Sequence, residues 1–123
     1  MSTSKGTDSE KVAVQRQLKI KVGAAKRLLK EHDIYKKEAE DRQCKVDRIV
    51  AENGEEWEIR IAKRLSEESQ RMIKDTGDRL EKTVQDLKTL IDSVKSRPEF
   101  TQDKELLDAE KELTEATAQV PDI

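Results

Sequence analysis

Between Asp8 and Glu52 the chain runs without a proline and with a single glycine, Gly23, while Leu18, Val22, Ala25, Leu29, His32, Ala39, Val46 and Val50 recur at steps of three, four or seven. A run of that length and period is a helix with a heptad seam, and it excludes a fold that starts on strands. Leu28, Tyr35 and Ile49 lie beside the seam and widen it to a face suited to two neighbours rather than one. Composition agrees: 42% of the 123 residues are charged, 33% are hydrophobic, and the aromatic residues are Tyr35, Trp57 and Phe100. About half of the chain is Ala, Glu, Lys, Leu and Arg, which with this periodicity reads as long helices or coiled coil, and without it would read as disorder.

Helix boundaries follow from local signals. Residues 1–8 are polar and read as a flexible leader, with Thr7 and Glu10 as a capping box and Ser9 as a rival cap. The first helix spans about 9–52 and stops at Asn53-Gly54, where the chain is expected to reverse. A second helix over about 55–95 carries Ile61, Leu65, Ser69, Met72, Thr76, Leu80, Thr83, Leu87, Leu90 and Val94 on its seam. The steps from Met72 to Leu80 break heptad phase beside Gly77, which predicts a bend or loosened packing there. Ser96-Arg97-Pro98 ends this run. A third helix over about 102–119 is expected to be capped by Thr101, with Asp103 and Glu105 in its first turn. Its inner face would hold Leu106, Leu107, Leu113, Ala116 and Val120, and Pro121 marks its latest end.

Two short connections force antiparallel neighbours, so the fold class is all-α, an elongated antiparallel three-helix bundle with coiled-coil-like packing over 9–120. At ~1.5 Å per residue the first two helices are roughly 60 Å long and the third about half that. The third helix therefore leaves part of the hairpin uncovered, around Tyr35 to Gln70. Trp57 lies there. It is either a binding anchor or a cap that folds back onto Ile49 or Ile61.

The chemistry-bearing residues are few. One His32 and one Cys44 support neither a metal cluster nor a nucleophile with its base, and phosphate loops and dinucleotide fingerprints are absent, so the chain is not expected to be an enzyme or to use a cofactor. His32 on the seam reads as a satisfied core histidine, Cys44 as a small buried hydrophobe, and Gly23 as a point where helix two or three approaches closely. No stretch approaches the ~18 apolar residues of a membrane span, and the first ten residues lack a secretory core, which points to the cytoplasm.

A net charge of −2 gives no general attraction to nucleic acid or anionic lipid. The charges are nonetheless segregated: Lys11, Arg16, Lys19, Lys21, Lys26, Arg27 and Lys30 occur with no acidic residue among them, while Pro98 to Ile123 holds eight acidic residues against two lysines. Either the two segments complement one another across the bundle, or some of the lysines face outward and steer an acidic protein partner.

The stretches LKIKVGAAKRLLKEHDIYKKEA (Leu18 to Ala39) and AENGEEWEIRIAKRLSEESQRMI (Ala51 to Ile73) resemble the tubulin-binding cofactor A family. The specific parts are Lys19-Ile20-Lys21, Gly23, Lys26-Arg27-Leu28, Lys30-Glu31, Tyr35, Lys37-Glu38-Ala39, the Ala51-Glu52-Asn53-Gly54-Glu55 turn, and Glu68-Ser69 with Arg71-Met72-Ile73. The resemblance implies a monomeric or homodimeric three-helix chaperone, cytoplasmic and cytoskeleton-associated, that needs no nucleotide. Its expected partner is quasi-native β-tubulin after chaperonin release, which it holds and passes on, with other tubulin-folding cofactors acting in sequence, for α/β-tubulin assembly. Relatives tend to carry a proline after the Met-Ile pair, where this chain has Lys74-Asp75. The expected β-tubulin contacts are Lys19, Lys21, Lys26, Arg27 and Lys30 of helix one with Trp57, Glu67, Glu68 and Arg71 of helix two. The competing reading is a homo-oligomeric coiled-coil scaffold or tether without tubulin specificity.

Overall fold

The structure, a computed structural model, describes the backbone of residues 2–119 and the side chains of residues 9–119. It is an all-α helical bundle: α1 (Ser2–Ala51), α2 (Glu56–Val94), a single 3₁₀ turn (Pro98–Phe100) and α3 (Lys104–Gln119). The helical backbone thus begins at Ser2, ahead of the expected cap and within the segment read as a leader. With no proline there to stop it, adding residues to an established helix needs no new nucleus.

Asn53 and Gly54 close α1 in a Schellman arrangement. Asn53 adopts φ 55°, its N–H donates to the Val50 carbonyl at 3.1 Å, and the Gly54 N–H donates to the Ile49 carbonyl at 2.9 Å. The left-handed residue is therefore the asparagine. Gly54 is required for space, since a Cβ there would meet Ile49 Cγ2 and lie 3.1 Å from the Ile49 carbonyl oxygen.

The chain divides into two compact units, Met1–Arg27 with Leu80–Ile123, and Leu28–Arg79. In the first, Leu18, Leu87, Ile91, Val94, Phe100, Leu106 and Ala109 form a buried apolar cluster, with Val14, Val22, Leu90 and Leu113 packed against it. Lys21 faces Asp86 of α2 at 4.0 Å, and Gln15 Nε2 donates to Asp103 Oδ1 at 2.6 Å. Phe100, presented by the 3₁₀ turn, is 1% exposed, and the Arg97 guanidinium and Lys11 ammonium stand 5.5 and 5.9 Å from its ring centre.

The start of α3 departs from the sequence expectation. Asp103, not Thr101, is the cap: its Oδ2 accepts the Leu106 N–H at 3.1 Å. Thr101 is taken up by the 3₁₀ turn, donating its N–H to the Pro98 carbonyl, and Gln102 takes φ 61° to redirect the chain. The buried face of α3 is Leu106, Ala109, Glu112 and Ala116. Leu107, expected inside, is 49% exposed, because a helix that buries 106, 109 and 116 turns position 107 about 100° away. Val120 and Pro121 lie outside the described residues.

The second unit contains segments of α1 and α2 alone, and their contacts run antiparallel: His32 meets Thr76, Arg42 meets Ser69 and Gln43 meets Ser66. Its interior is unusually polar, with His32, Ser66, Ser69 and Thr76 buried beside Ala39, Val46 and Ala62. His32 Nδ1 lies 2.9 Å from Thr76 Oγ1, and a Cβ on Gly77 would sit 3.4 Å from His32 Cε1. Beside Gly77, where a bend or loosened packing is expected, an imidazole seats against a side-chain-free turn and the helical span of α2 continues.

Candidate partner-binding surfaces

A chain that works by binding is defined by what it leaves uncovered. Lys19, Lys26, Arg27 and Lys30 on α1 and Trp57, Glu67, Glu68 and Arg71 on α2 are all exposed, whereas Lys21 is partly covered beside Asp86. Lys19, Lys21, Lys26 and Arg27 belong to the first unit, and Lys30, Trp57, Glu67, Glu68 and Arg71 to the second.

In the first unit the charge segregation is only partly spent internally. Lys11 Nζ stands 4.0 Å from Asp103 Oδ1. Lys26 lies close enough to Glu112 to favour its ionised form, although burial and the neighbouring Glu115 act more strongly and push the Glu112 carboxyl up from its ordinary range. Glu112 is 2% exposed, and its Oε1 has no hydrogen-bond partner. The sequence reading missed this residue, since Leu113 beside it fits the same stripe.

In the second unit, Lys45 and Ile49 of α1 and Trp57, Glu58, Ile61, Ala62 and Leu65 of α2 line a groove of ≈ 200 Å³. Trp57 is 56% exposed, Ile61 49% and Leu65 36%. These three recur every four residues and stand on one side of α2, with Glu68 three turns from Trp57 on the same side. Trp57 therefore sits beside Ile49 and Ile61 but does not seal the hairpin end.

Ile61 and Leu65 were expected on the seam, yet the structure buries Ala62 and Ser66. Arg42 explains the rotation. Its guanidinium lies against α2, donating from Nη1 to the Leu65 carbonyl at 3.0 Å and to Ser69 Oγ at 2.8 Å, while Nη2 pairs with Glu38 at 2.6 Å. A helix face that accepts an arginine head needs a small polar partner, which Ser69 supplies, and Ser66 donates to the neighbouring Gln43 Oε1 at 3.0 Å. The available signal was the seam gap between Ala39 and Val46, where Arg42 falls on phase.

Val50 is 48% exposed, and Cys44, expected to be buried, is exposed too, because the narrow two-helix contact runs through Ala39, Arg42 and Val46. His32 is buried and held, as expected of a core histidine. Burial first, then the Lys36 charge, hold its pKa below the ordinary value, with Asp33 opposing. Among the described residues no group of three or more His, Cys, Asp or Glu is placed to hold a metal ion, and no helix is long and apolar enough to cross a membrane.

The chain matches the family model described as tubulin binding cofactor A over residues 13–118. It is 40% identical over 90 residues to the tubulin-specific chaperone A of Rattus norvegicus, covering 73% of this chain and 83% of that protein. Among solved structures, tubulin folding cofactor A from Arabidopsis thaliana superposes with a TM-score of 0.79 at 28% identity, covering 87% of this chain and 98% of that one. The human tubulin chaperone cofactor a superposes with a TM-score of 0.73 at 33% identity, covering 85% and 98%.

Proposed function

From the premise that this chain belongs to the tubulin binding cofactor A family, we propose that it binds and holds β-tubulin in a near-native state and releases it for assembly with α-tubulin. Its role is that of a tubulin-folding chaperone and not of an enzyme. The observation that carries the proposal is the extent of the family match, 13–118, which takes in all three helices and both candidate surfaces rather than a single motif.

The physical arrangement supports action by binding alone. A helical surface that is already ordered binds without the entropy of folding a loop onto its partner. The basic residues Lys19, Lys26, Arg27 and Lys30 would set the approach of an acidic client, and Trp57 with Ile61 and Leu65 would supply apolar contact. Lys21, Glu67, Glu68 and Arg71 complete the proposed contact set, and other tubulin-folding cofactors would receive the client afterwards. The protein would act in the cytoplasm, associated with the cytoskeleton, as a monomer or a homodimer.

Co-purification of the full chain with free β-tubulin, α-tubulin and the assembled heterodimer tests the reading. Retention of free β-tubulin in preference to the other two is the expected result. Equal retention of α-tubulin would remove the β-tubulin specificity, and retention of none would remove the chaperone reading.

A further inference from the structure

On α1 of the first unit, Val12, Arg16, Ile20, Gly23 and Arg27 follow at steps of four, four, three and four, so they line one side of the helix over about 22 Å. All five are exposed, Val12 at 52% and Ile20 at 57%. Lys19 and Lys26 lie beside the line on its α3 side, Lys19 lining a cavity with Glu105 and Asp108 and Lys26 near Glu112, and no acidic residue occurs from Lys11 to Lys30. The cross-helix ion pairs of this segment belong to Lys11 and Lys21. Among the described residues Arg16, Lys19, Lys26 and Arg27 form none.

Gly23, fourth in that line, is the residue the fold leaves unexplained. A glycine inside a helix is less favourable than alanine. Gly54 and Gly77 each have a neighbour within van der Waals reach of an added Cβ, whereas at Gly23 none of the described residues' atoms beyond its own helical turn lies within 4 Å. Its φ is not positive. The expected approach of helix two or three is not seen, so among the described residues nothing requires a missing side chain there.

We propose that this face is where an acidic amphipathic helix of the tubulin client docks, its backbone crossing α1 over Gly23. Two helix axes normally stand 8–10 Å apart, set by the side chains at the crossing, and a glycine at that point permits the closest approach. Ile20 and Val12 then pack against the client's apolar stripe, and Arg16, Lys19, Lys26 and Arg27 face its carboxylates. The inference rests on the tubulin reading above and adds to it a crossing point and a client chemistry. An anionic lipid surface would also be drawn to these cations, but it would gain from a larger side chain at 23, and this face carries no aromatic anchor. Only a backbone crossing needs the side chain absent.

The test uses the full chain with Gly23→Ala, Gly23→Leu and the double variant Arg16→Glu/Arg27→Glu, each measured by thermal melting and by binding to purified β-tubulin. Gly23→Ala is expected to raise the Tm by a few degrees while weakening tubulin binding several-fold, an opposition of signs that a purely structural glycine would not produce. Gly23→Leu should fold and bind at least about tenfold more weakly, and the double variant should associate about tenfold more slowly at low salt, with the gap closing at high salt. Wild-type tubulin affinity in Gly23→Leu, or a lowered Tm in Gly23→Ala, overturns the docking face and leaves the tubulin reading intact. Absence of tubulin binding by the unmodified chain removes both. Binding to phosphatidylserine vesicles that Gly23→Leu strengthens overturns the proposal in favour of a lipid surface.

Discussion

Asn53 and Gly54 divide between them two requirements that one glycine often meets alone. Asn53 supplies the left-handed backbone, φ 55°, which its short amide tolerates better than most side chains. Gly54 supplies room, because a Cβ would collide with Ile49 Cγ2 and crowd the carbonyl that accepts the Gly54 N–H. Gly54→Ala should therefore lower stability by roughly 1–2 kcal/mol, whereas Asn53→Gly should be neutral or slightly stabilising. Urea unfolding of the two variants checks the assignment, and the reverse order of stabilities would refute it. Their dipeptide was legible as a turn from sequence. Which residue bends and which makes room was not, because that depends on where the Ile49 side chain lies.

At the scale of elements, two buried ionisable groups act with opposite sign. His32 is held neutral by burial and Lys36, with Thr76 Oγ1 donating to the Met72 carbonyl at 2.9 Å and thus free to accept from Nδ1–H. As pH falls below the ordinary histidine value of 6.5, the unfolded chain takes up a proton that the folded chain resists, so stability declines from there toward the lower folded pKa. A Tm that drops between about pH 7 and pH 5 in the wild type and less in His32→Gln is expected; equal drops would show that His32 is not the source. Glu112 on α3 works the other way. Its carboxyl is raised by burial and by Glu115, so its contribution is fullest at low pH and is lost as pH rises from the ordinary carboxylate value through the raised one. Glu112→Met should consequently stabilise the protein more at pH 8 than at pH 5, a difference readable by thermal melting at the two pH values. Neither environment was fully written in the spacing. His32 stood on the seam in plain view, but Glu112 shares its register with Leu113, and apolar periodicity selects the leucine by chemistry where the packing selects its neighbour by angle. The same limit displaced Ile61 and Leu65: a two-helix contact buries only a narrow stripe, here Ala62, Ser66 and Ser69, and the polar heads of Arg42 and Gln43 in that stripe bond to Ser69 and Ser66.

For the molecule as a whole, the long periodic runs and the breaks at Asn53-Gly54 and Pro98 were enough to read three helices, because proline and the helix-closing turn act locally and need no tertiary information. The candidate surfaces were legible as residue types but not as faces, since exposure is set by which neighbours arrive. That difference makes Trp57 the sharpest remaining test of how the whole chaperone holds its client. With 56% of its surface exposed, Trp57 contributes little burial to the fold, so Trp57→Ser should leave the Tm within a degree or two of wild type. An exposed aromatic at the centre of a contact commonly accounts for ~2 kcal/mol or more, so the same change should weaken β-tubulin retention by roughly thirtyfold. Apolar contact acts on dissociation and is insensitive to salt, whereas a basic face acts on association and is screened. Stopped-flow or biosensor kinetics at about 0.05 and 0.5 M salt should show Trp57→Ser dissociating faster by the same factor at both, and the unmodified chain associating more slowly only at the higher. If Trp57→Ser dissociates at the wild-type rate, the groove lies outside the client footprint and the basic helix must hold tubulin without it.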